Sequence, residues 1–294
     1  MDPRSDLSHV RRATARAATT FDAAAVLHKE VRQRLMESLE YLESRTPAVV
    51  LDVGAGTGHA SAAMKKRWPK AQVIALDASP AMLQQARHQA GWWKPFQRVG
   101  ADAAALPLAD GSVDVIFSNL CLQAVDDLPA VFAGFRRVLK PGGLLLCSSF
   151  GPDTLVELND AFHGVDPVPH VHRFAPMAQF GDALMMAGFR DPVLDRDLLT
   201  LTYDSMTALM HELRAMGQTN ARQDRRRSLT GKGRFEAAAA RYESLRRADG
   251  KLPSSWDVVY AHAWAPEAGA PIRLQGEDVA AMPVSAIPIR RRSP

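Results

Sequence analysis

The stretch that decides the fold is Leu51-Asp-Val-Gly-Ala-Gly-Thr-Gly58. An apolar run from Ala48 to Val53 leads into its glycines, and a helical pattern follows at 59–68, so the loop joins a strand to a helix. Glycine lets the backbone turn sharply and bring its amides close to a ligand. Open parallel sheets bind ligands where such loops leave their strands. The stretch therefore predicts a small-molecule site at the carboxyl edge of an α/β sheet.

Short apolar strands alternate with amphipathic segments on either side of this loop. The predicted strands are 48–53, 72–77, 97–100, 113–119, 144–150, 191–203 and 254–264. Helices are predicted over 8–44 (one or two), 59–68, 80–90, 127–139, 153–163, 177–187, 205–216 and 233–248. Strands this apolar, separated by helices, indicate a sheet that is covered on both faces. We expect an α/β, Rossmann-like fold with a mostly parallel seven-stranded sheet and a helical cap inserted late in the chain.

This pattern divides the chain into five parts. They are N-terminal helices that cover the cofactor site (1–46), the α/β core (47–204), a basic helical cap (205–252), a final core strand (253–264) and a loosely ordered tail (265–294). The tail is predicted from its five prolines and its three arginines close to the terminus.

The spacing of the glycines separates two kinds of cofactor. Gly54, Gly56 and Gly58 are two residues apart, whereas a dinucleotide site expects G-x-G-x-x-G with a pyrophosphate on the helix N-terminus. Asp52 precedes the loop, and a carboxylate there suits a cofactor with an ammonium group and no phosphate. These features predict S-adenosyl-L-methionine and disfavour an NAD-dependent oxidoreductase.

Further residues at strand ends complete the predicted cofactor site. Asp77 ends the second strand, where an acid accepts both hydroxyls of a ribose. Asp102 is expected to accept the adenine amino group, and Met82 to pack on the adenine face, although Met on a helix is more often core. The remaining cofactor-binding candidates are Phe21, Ala78, Ala103 and Asn119.

Composition excludes several other classes of protein. The chain has 294 residues, of which 47% are hydrophobic and 23% charged, as in globular proteins. Its apolar runs are far shorter than the roughly 20 residues of a membrane span, so no membrane partner is expected. Two cysteines, Cys121 and Cys147, lie in apolar segments and indicate a reducing cytoplasm. His170 and His172 have no third ligand at a suggestive spacing, so no metal is predicted.

Positive charge is concentrated in one segment. Residues 205–250 contain ten Lys or Arg and five Asp or Glu, a charge of +5 against +4 for the whole chain. Arginine suits a carboxylate or a phosphate, and an excess of charge suits docking of an acidic partner. The substrate- or partner-binding candidates are Arg214, Arg222, Arg225, Arg226 and Arg227, and the alternative for any one of them is a solvated loop. Aromatic residues are not interleaved with them, so no nucleic acid is predicted.

Taken together, these motifs resemble those of class I methyltransferases, and more closely the malonyl-acyl-carrier-protein O-methyltransferases of biotin synthesis. The resemblance runs from Arg11 to Trp264. The stretches that are most specific to this narrower family lie after residue 150. They include Pro169-His-Val-His-Arg-Phe174, Leu209-Met-His-Glu-Leu-Arg-Ala-Met-Gly-Gln-Thr-Asn220 and Asp249-Gly-Lys-Leu-Pro-Ser-Ser255. Two positions depart from the family pattern, because Phe21 stands where Tyr is usual and Ala124 where Trp is usual.

The resemblance implies methylation of the free carboxylate of a malonyl thioester carried on acyl carrier protein. An ionised carboxylate is already a nucleophile, so no general base is required, and proximity and alignment carry the catalysis. Two alternatives stay open at this point. One is a methyltransferase for another small acceptor such as a quinone precursor, and the other is a hydroxylase-like relative that serves respiratory-complex assembly.

Overall fold

The computed structural model describes residues 5–42, 45–93 and 95–269, together with the backbone of 272–274 and 277–279. Seven strands form its central sheet: β1 (Val49–Val53), β2 (Gln72–Asp77), β3 (Gln97–Gly100), β4 (Val113–Ser118), β5 (Leu139–Phe150), β6 (Arg190–Tyr203) and β7 (Leu252–Trp264). Their order is β3-β2-β1-β4-β5-β7-β6. Neighbours from β3 to β5 are parallel, and β7 runs antiparallel between β5 and β6. The fold class expected from the sequence is confirmed.

Ten α-helices are present in the part of the chain that the structure describes. They are α1 (Leu7–Ala17), α2 (Phe21–Ala24), α3 (Val26–Glu37), α4 (His59–Arg67), α5 (Pro80–Gln89), α6 (Leu128–Val138), α7 (Val156–Phe162), α8 (Met177–Met186), α9 (Met206–Ala215) and α10 (Lys232–Glu243). Side chains cap several of them, since Ser79, Asp127 and Ser205 each accept a backbone N–H from the first turn that follows. These caps fix the residues at which α5, α6 and α9 begin.

The N-terminal region and β5 differ in detail from the sequence prediction. The periodic segment 8–44 contains three separate helices and a 3-10 turn (Ser38–Leu42). Helices α2 and α3 are separated because the chain leaves helical conformation at Ala25 (φ −86°, ψ 43°). Strand β5 begins five residues before the predicted 144, since Leu139 already pairs with Val113 ahead of the Lys-Pro-Gly-Gly turn. The register shifts across that turn.

Apolar side chains cover the sheet on both faces. Successive residues of β1 point to opposite faces, and Val50 and Leu51 are both fully buried in separate clusters. A third cluster lies beyond the sheet and joins α3 to α7, α9 and α10 around Phe150 and Trp256. Burial at about 25 cal/mol per Å² of apolar surface holds this cap against the sheet.

The C-terminal tail lies mostly outside the described residues. Of the predicted loosely ordered segment 265–294, the structure describes 265–269 and two short backbone pieces, Ile272–Leu274 (β8) and Glu277–Val279 (β9), which pair antiparallel. Among the described residues, no helix is both long and apolar enough to cross a membrane.

Candidate functional site

The glycine-rich loop forms a tight turn between β1 and α4. Gly54, Gly56 and Gly58 all have positive φ (71°, 53° and 84°), a conformation that other residues adopt at a cost. The amide of Gly54 donates to the carbonyl of Leu76 at 2.8 Å, and that of Gly56 donates to Asp77 Oδ2 at 2.9 Å. The loop is therefore tied to the end of β2.

The three glycines are needed for different reasons. A Cβ on Gly54 would overlap the Cys121 side chain, and one on Gly58 would lie 2.8 Å from Cβ of Ala86. A Cβ on Gly56 would meet nothing within 4 Å. Gly54 and Gly58 thus permit close packing, whereas Gly56 keeps its backbone accessible from the adjacent cavity.

That cavity has a volume of about 590 Å³ and lies over the carboxyl edge of β1, β2 and β4. Residues from the core, from the N-terminal helices and from the cap all line it. Of the residues predicted from the sequence, ten line the cavity: Phe21, Asp52, Gly54, Gly56, Asp77, Met82, Asn119, Arg214, Arg225 and Arg226.

Six predicted residues do not line it: Gly58, Ala78, Asp102, Ala103, Arg222 and Arg227. Asp102 lies near the edge, but Arg11 of α1 forms an ion pair with it at 2.9 Å. The Asp102 carboxylate is thus paired with the N-terminal helix while its side chain stays 35% exposed, and its predicted role toward adenine stays a prediction.

Two carboxylates at the cavity are poorly solvated. Asp52 is 1% exposed, accepts a hydrogen bond from Ser61 Oγ at 2.6 Å, and has its pKa raised to about 7 mainly because of burial. Burial also raises the pKa of Asp77, although the amides of Ser79 and Gly56 donate to its carboxylate. A cation near Asp52 would favour its ionised form.

Arg32, on α3, is a cavity residue that the sequence analysis missed. Its side chain is half-buried, and burial lowers its pKa while the charges of Asp52 and Asp22 oppose that shift. Within the described ranges, the guanidinium group of Arg32 forms no ion pair or hydrogen bond. The sequence contains one indication of this position, because Arg32 lies one helical turn after His28 and beside the buried residues of α3.

The N-terminal helices are fastened to the glycine-rich loop. Thr57 Oγ1 donates to Asp22 Oδ1 at 2.6 Å, and Nε2 of His59 lies 3.1 Å from Asp22 Oδ2. Thr20 Oγ1 donates to the carbonyl of Ala215 at 2.8 Å and links this segment to α9. The helices thus close the cavity from the side opposite the sheet.

Most of the predicted cap arginines already have carboxylate partners. Arg225 pairs with Asp6 at 2.9 Å, Arg226 with the buried carboxylate of Asp166 at 2.6 Å, and Arg222 with Asp224 at 2.7 Å. His170 lies 3.0 Å from the same Asp166 carboxylate and stacks on Phe162.

Arg214 differs from these arginines. It is exposed at the edge of the cavity and has no ion pair or hydrogen bond from its side chain within the described structure. Among the described residues, the cavity therefore contains two unpaired guanidinium groups, Arg32 beside the glycine-rich loop and Arg214 at the cap. No group of three His, Cys, Asp or Glu among the described residues is arranged to hold a metal ion.

The sheet order, the glycine-rich loop after β1 and the acid that ends β2 define an S-adenosylmethionine-dependent methyltransferase of class I. Residues 51–147 match a family model described as a methyltransferase domain. Among solved structures, the chain is similar to the YcgJ protein of Bacillus subtilis (TM-score 0.56, 19% identity, 79% of this chain and 98% of the other). It is also similar to Haemonchus contortus phosphoethanolamine N-methyltransferase 2 in complex with S-adenosyl-L-methionine (TM-score 0.52, 19% identity, 80% and 53%).

Relatives with similar sequences give the narrower family. The chain is 62% identical over 288 residues to a malonyl-[acyl-carrier protein] O-methyltransferase of Xylella fastidiosa, with 98% of each chain covered. It is 45% identical over 267 residues to one of Gallionella capsiferriformans, with 89% and 91% covered. The chain belongs to the malonyl-[acyl-carrier protein] O-methyltransferase family.

Proposed function

We propose that this protein transfers the methyl group of S-adenosylmethionine to the free carboxylate of a malonyl thioester on acyl carrier protein, an early step of biotin synthesis. The observation that carries the proposal is the pair of unpaired guanidinium groups in one cavity. The cofactor has a carboxylate at its methionine end, and a malonyl-carrier substrate brings a carboxylate and a phosphate. Arg32 and Arg214 thus offer one guanidinium group for each of the two ligands, which fits a reaction between the cofactor and the malonyl-carrier substrate.

For the cofactor, we propose one role for each part of the site. Asp77 accepts the ribose hydroxyls, Asp52 lies near the ammonium group, and Arg32 binds the methionine carboxylate. Gly54 and Gly56 bring backbone close to the cofactor, and Met82 packs on the adenine. Phe21 and Asn119 complete the wall, while Ala78, Asp102 and Ala103 remain candidates at its adenine end.

The reaction needs no proton transfer. When bound, the cofactor supplies a methyl group that is attached to a positively charged sulfonium. The sulfur is the leaving group and departs as a neutral thioether. A carboxylate oxygen of the substrate forms the new O–C bond as the C–S bond breaks, and no general base takes part. The protein contributes alignment of the two ligands and exclusion of water by α1, α2 and the cap.

We propose that the cap also receives the carrier protein in the cytoplasm. Exposed basic residues continue from Arg214 over the cap surface, among them Arg227, Lys232, Arg234, Arg241 and Arg247. The segment 205–250 has ten basic residues against five acidic ones, and such an excess of one charge raises the association rate of an oppositely charged partner. An acidic carrier protein meets that requirement.

A transfer assay with labelled cofactor tests the proposal. We expect label on malonyl-acyl carrier protein as a base-labile methyl ester, and none on acetyl-acyl carrier protein, which has no free carboxylate. Transfer to a quinone precursor instead would contradict the proposed acceptor. Cofactor binding without transfer to any acceptor would favour the assembly role.

Replacing Arg214 by Gln tests the cap cation. We expect the KM for malonyl-acyl carrier protein to rise about tenfold, because one charge-assisted contact is lost, with the affinity for S-adenosylhomocysteine unchanged. The matched control is Arg227→Gln, an exposed arginine of the same cap outside the cavity. Equal KM changes in the two variants would rule out a specific contact at Arg214.

The pKa of Asp52 predicts how cofactor binding depends on pH. The free protein holds Asp52 with a pKa of about 7, and the ammonium group of the cofactor selects the ionised form. Affinity should therefore be highest above pH 7 and fall by up to about tenfold per pH unit below it. Calorimetry with S-adenosylhomocysteine from pH 5.5 to 8.5 measures this, and Asp52→Asn should flatten the profile. If Asp52→Asn has the same pH profile as the unchanged protein, the pH dependence of binding comes from a group other than Asp52.

A further inference from the structure

A second basic segment lies between residues 64 and 98. It contains seven Lys or Arg and one Asp or Glu, a charge of +6. Its acid, Asp77, ends β2 at the carboxyl edge of the sheet and lines the cavity. None of its described basic residues lines the cavity, so the function proposed above does not use them.

The fold places most of these charges at the amino edge of the sheet, where the strands begin. Helices α4 and α5 start at the carboxyl ends of β1 and β2 and end at the opposite edge, at Arg67 and Gln89. Beyond them, Trp68, Ala90 and Phe96 are buried in one apolar cluster, which joins the helix ends to the starts of β2 and β3. Exposed residues around this cluster form one surface, which we call the amino-edge surface: Lys66, Arg67, Lys70, Arg87, Trp92, Trp93 and Arg98.

The cations of the amino-edge surface lack carboxylate partners within the described parts of the chain. None of its five Lys and Arg side chains forms an ion pair with another residue that the structure describes. In the cap, by contrast, Arg225 and Arg226 are paired with Asp6 and Asp166. Unpaired charges of one sign sum to a positive potential, which attracts a negatively charged partner.

Two tryptophans project from the same surface. Trp92 is 89% exposed and Trp93 is 78% exposed, and their ring centroids lie 5.8 Å apart with an angle of 81° between the rings. The other three tryptophans of the chain are buried or half-buried. Large apolar side chains that are exposed together indicate an interaction site. An indole is favoured where one side of its surroundings is apolar and the other is wet.

We propose that the amino-edge surface binds anionic phospholipid membranes, with the two indoles among the headgroups and the five cations against the lipid phosphates. Trp is enriched at the level of the headgroups, and each Lys or Arg near an anionic leaflet strengthens binding. Adsorption of this kind needs no membrane-spanning segment, so the short apolar runs of the chain do not exclude it. This inference goes beyond the methyl transfer and does not depend on it.

The shape of the surface favours a membrane over a nucleic acid. Proteins that bind single strands offer aromatic faces along a groove that follows the phosphates. Here both indoles lie in one short segment between α5 and β3, and their rings are nearly perpendicular. A projecting pair of indoles with cations around it suits insertion into a flat layer of headgroups.

The cavity lies at the other edge of the sheet. It covers the carboxyl ends of β1, β2 and β4, whereas the amino-edge surface lies where β2 and β3 begin. A molecule adsorbed through its amino edge therefore keeps the cavity directed away from the lipid. Adsorption should leave methyl transfer unchanged.

Sedimentation with vesicles tests the inference. The full chain should bind vesicles with about 30% phosphatidylglycerol at least about tenfold more tightly than vesicles of phosphatidylcholine alone, and salt should weaken the binding. Replacing both Lys66 and Arg67 by Gln should lower the partition coefficient for the anionic vesicles about 25-fold, at about fivefold for each cation. Trp92→Ser combined with Trp93→Ser should lower it by about tenfold or more, because two buried indoles are lost. Tryptophan fluorescence should shift to the blue when the unchanged protein binds.

Arg234→Gln combined with Arg241→Gln is the matched control, since it removes two exposed arginines of the cap. It should bind vesicles like the unchanged protein, and the tryptophan variant should keep its unfolding temperature and its rate of methyl transfer. Equal loss of binding in the control and in the amino-edge variants would overturn the inference, as would equal binding to anionic and neutral vesicles. Binding to single-stranded oligonucleotides but not to vesicles would also overturn it and assign the surface to nucleic acid. Vesicle binding without methyl transfer would contradict only the proposed function.

Discussion

Replacing Asp77 by Ala is expected to weaken binding of S-adenosylhomocysteine roughly a hundredfold. The carboxylate lies at the end of β2, and its proposed contacts are two hydrogen bonds to the ribose hydroxyls. Loss of two charge-assisted bonds removes about 3 kcal/mol of binding free energy. The carboxylate also accepts the amides of Gly56 and Ser79, so the variant loosens the glycine-rich loop in addition. Isothermal titration calorimetry measures the change.

Two further variants make this result interpretable. Asp77→Asn keeps one acceptor oxygen and should lose less affinity than Asp77→Ala. Asp110→Ala removes a carboxylate that pairs with Arg137 outside the cavity, and it should not change affinity. An affinity for Asp77→Ala within threefold of the unchanged protein would refute the ribose assignment.

Replacing Gly54 by Ala is expected to lower the free energy of unfolding by about 3 kcal/mol. The residue has φ of 71°, which costs an alanine roughly 1–2 kcal/mol, and the added methyl group would overlap the half-buried Cys121 side chain. For a chain of this size, the unfolding temperature should fall by about 5 °C. Thermal unfolding followed by circular dichroism measures it without any ligand.

Gly56→Ala is the comparison that separates folding from binding. Its φ is also positive, but the added methyl group meets no protein atom within 4 Å. This variant should lose only the backbone cost, about 1 kcal/mol, while its methyl group obstructs the cofactor and weakens binding at least tenfold. If both variants lose equal stability and bind equally well, the two glycines do not have the different roles assigned to them.

The sheet could be predicted from the sequence because its central strands are buried on both faces. Such strands read as continuous apolar runs, and β2 was predicted at the bounds observed in the structure, 72–77. The edge strand β3, whose residues are mostly exposed, was also predicted at its observed bounds, 97–100. β3 has few β-branched residues and was predicted from its place between a helix and a strand. Local spacing was enough here because β1 and β2 are each followed by a short turn and a helix.

The contacts of the basic cap could not be predicted in the same way. Arg225 pairs with Asp6, 219 residues away, and Arg226 with Asp166, 60 residues away. Charge composition indicated a basic surface, but which arginine is neutralised depends on three-dimensional proximity. The same is true of Arg32, whose guanidinium lines the cavity and has no ion pair or hydrogen bond among the described residues. A sequence pattern contains no information about the absence of a partner.

The two departures from the family pattern are both at the cavity. Phe21 packs edge-on against His28 and lines the cavity without a hydroxyl group, and Ala124 lines it with a small side chain. Neither position supplies a hydrogen bond to a ligand through its side chain.

The central claim is that the acceptor atom is an oxygen of the malonyl carboxylate. Mass spectrometry of acyl carrier protein, with fragmentation that releases the acylated pantetheine arm, locates the transferred group directly. With a cofactor that carries a deuterated methyl group, we predict one labelled methyl on the released malonyl fragment, and mild base should return that fragment to the free acid. A labelled methyl on the carrier polypeptide, or an unlabelled malonyl fragment after full turnover of the cofactor, would contradict the account.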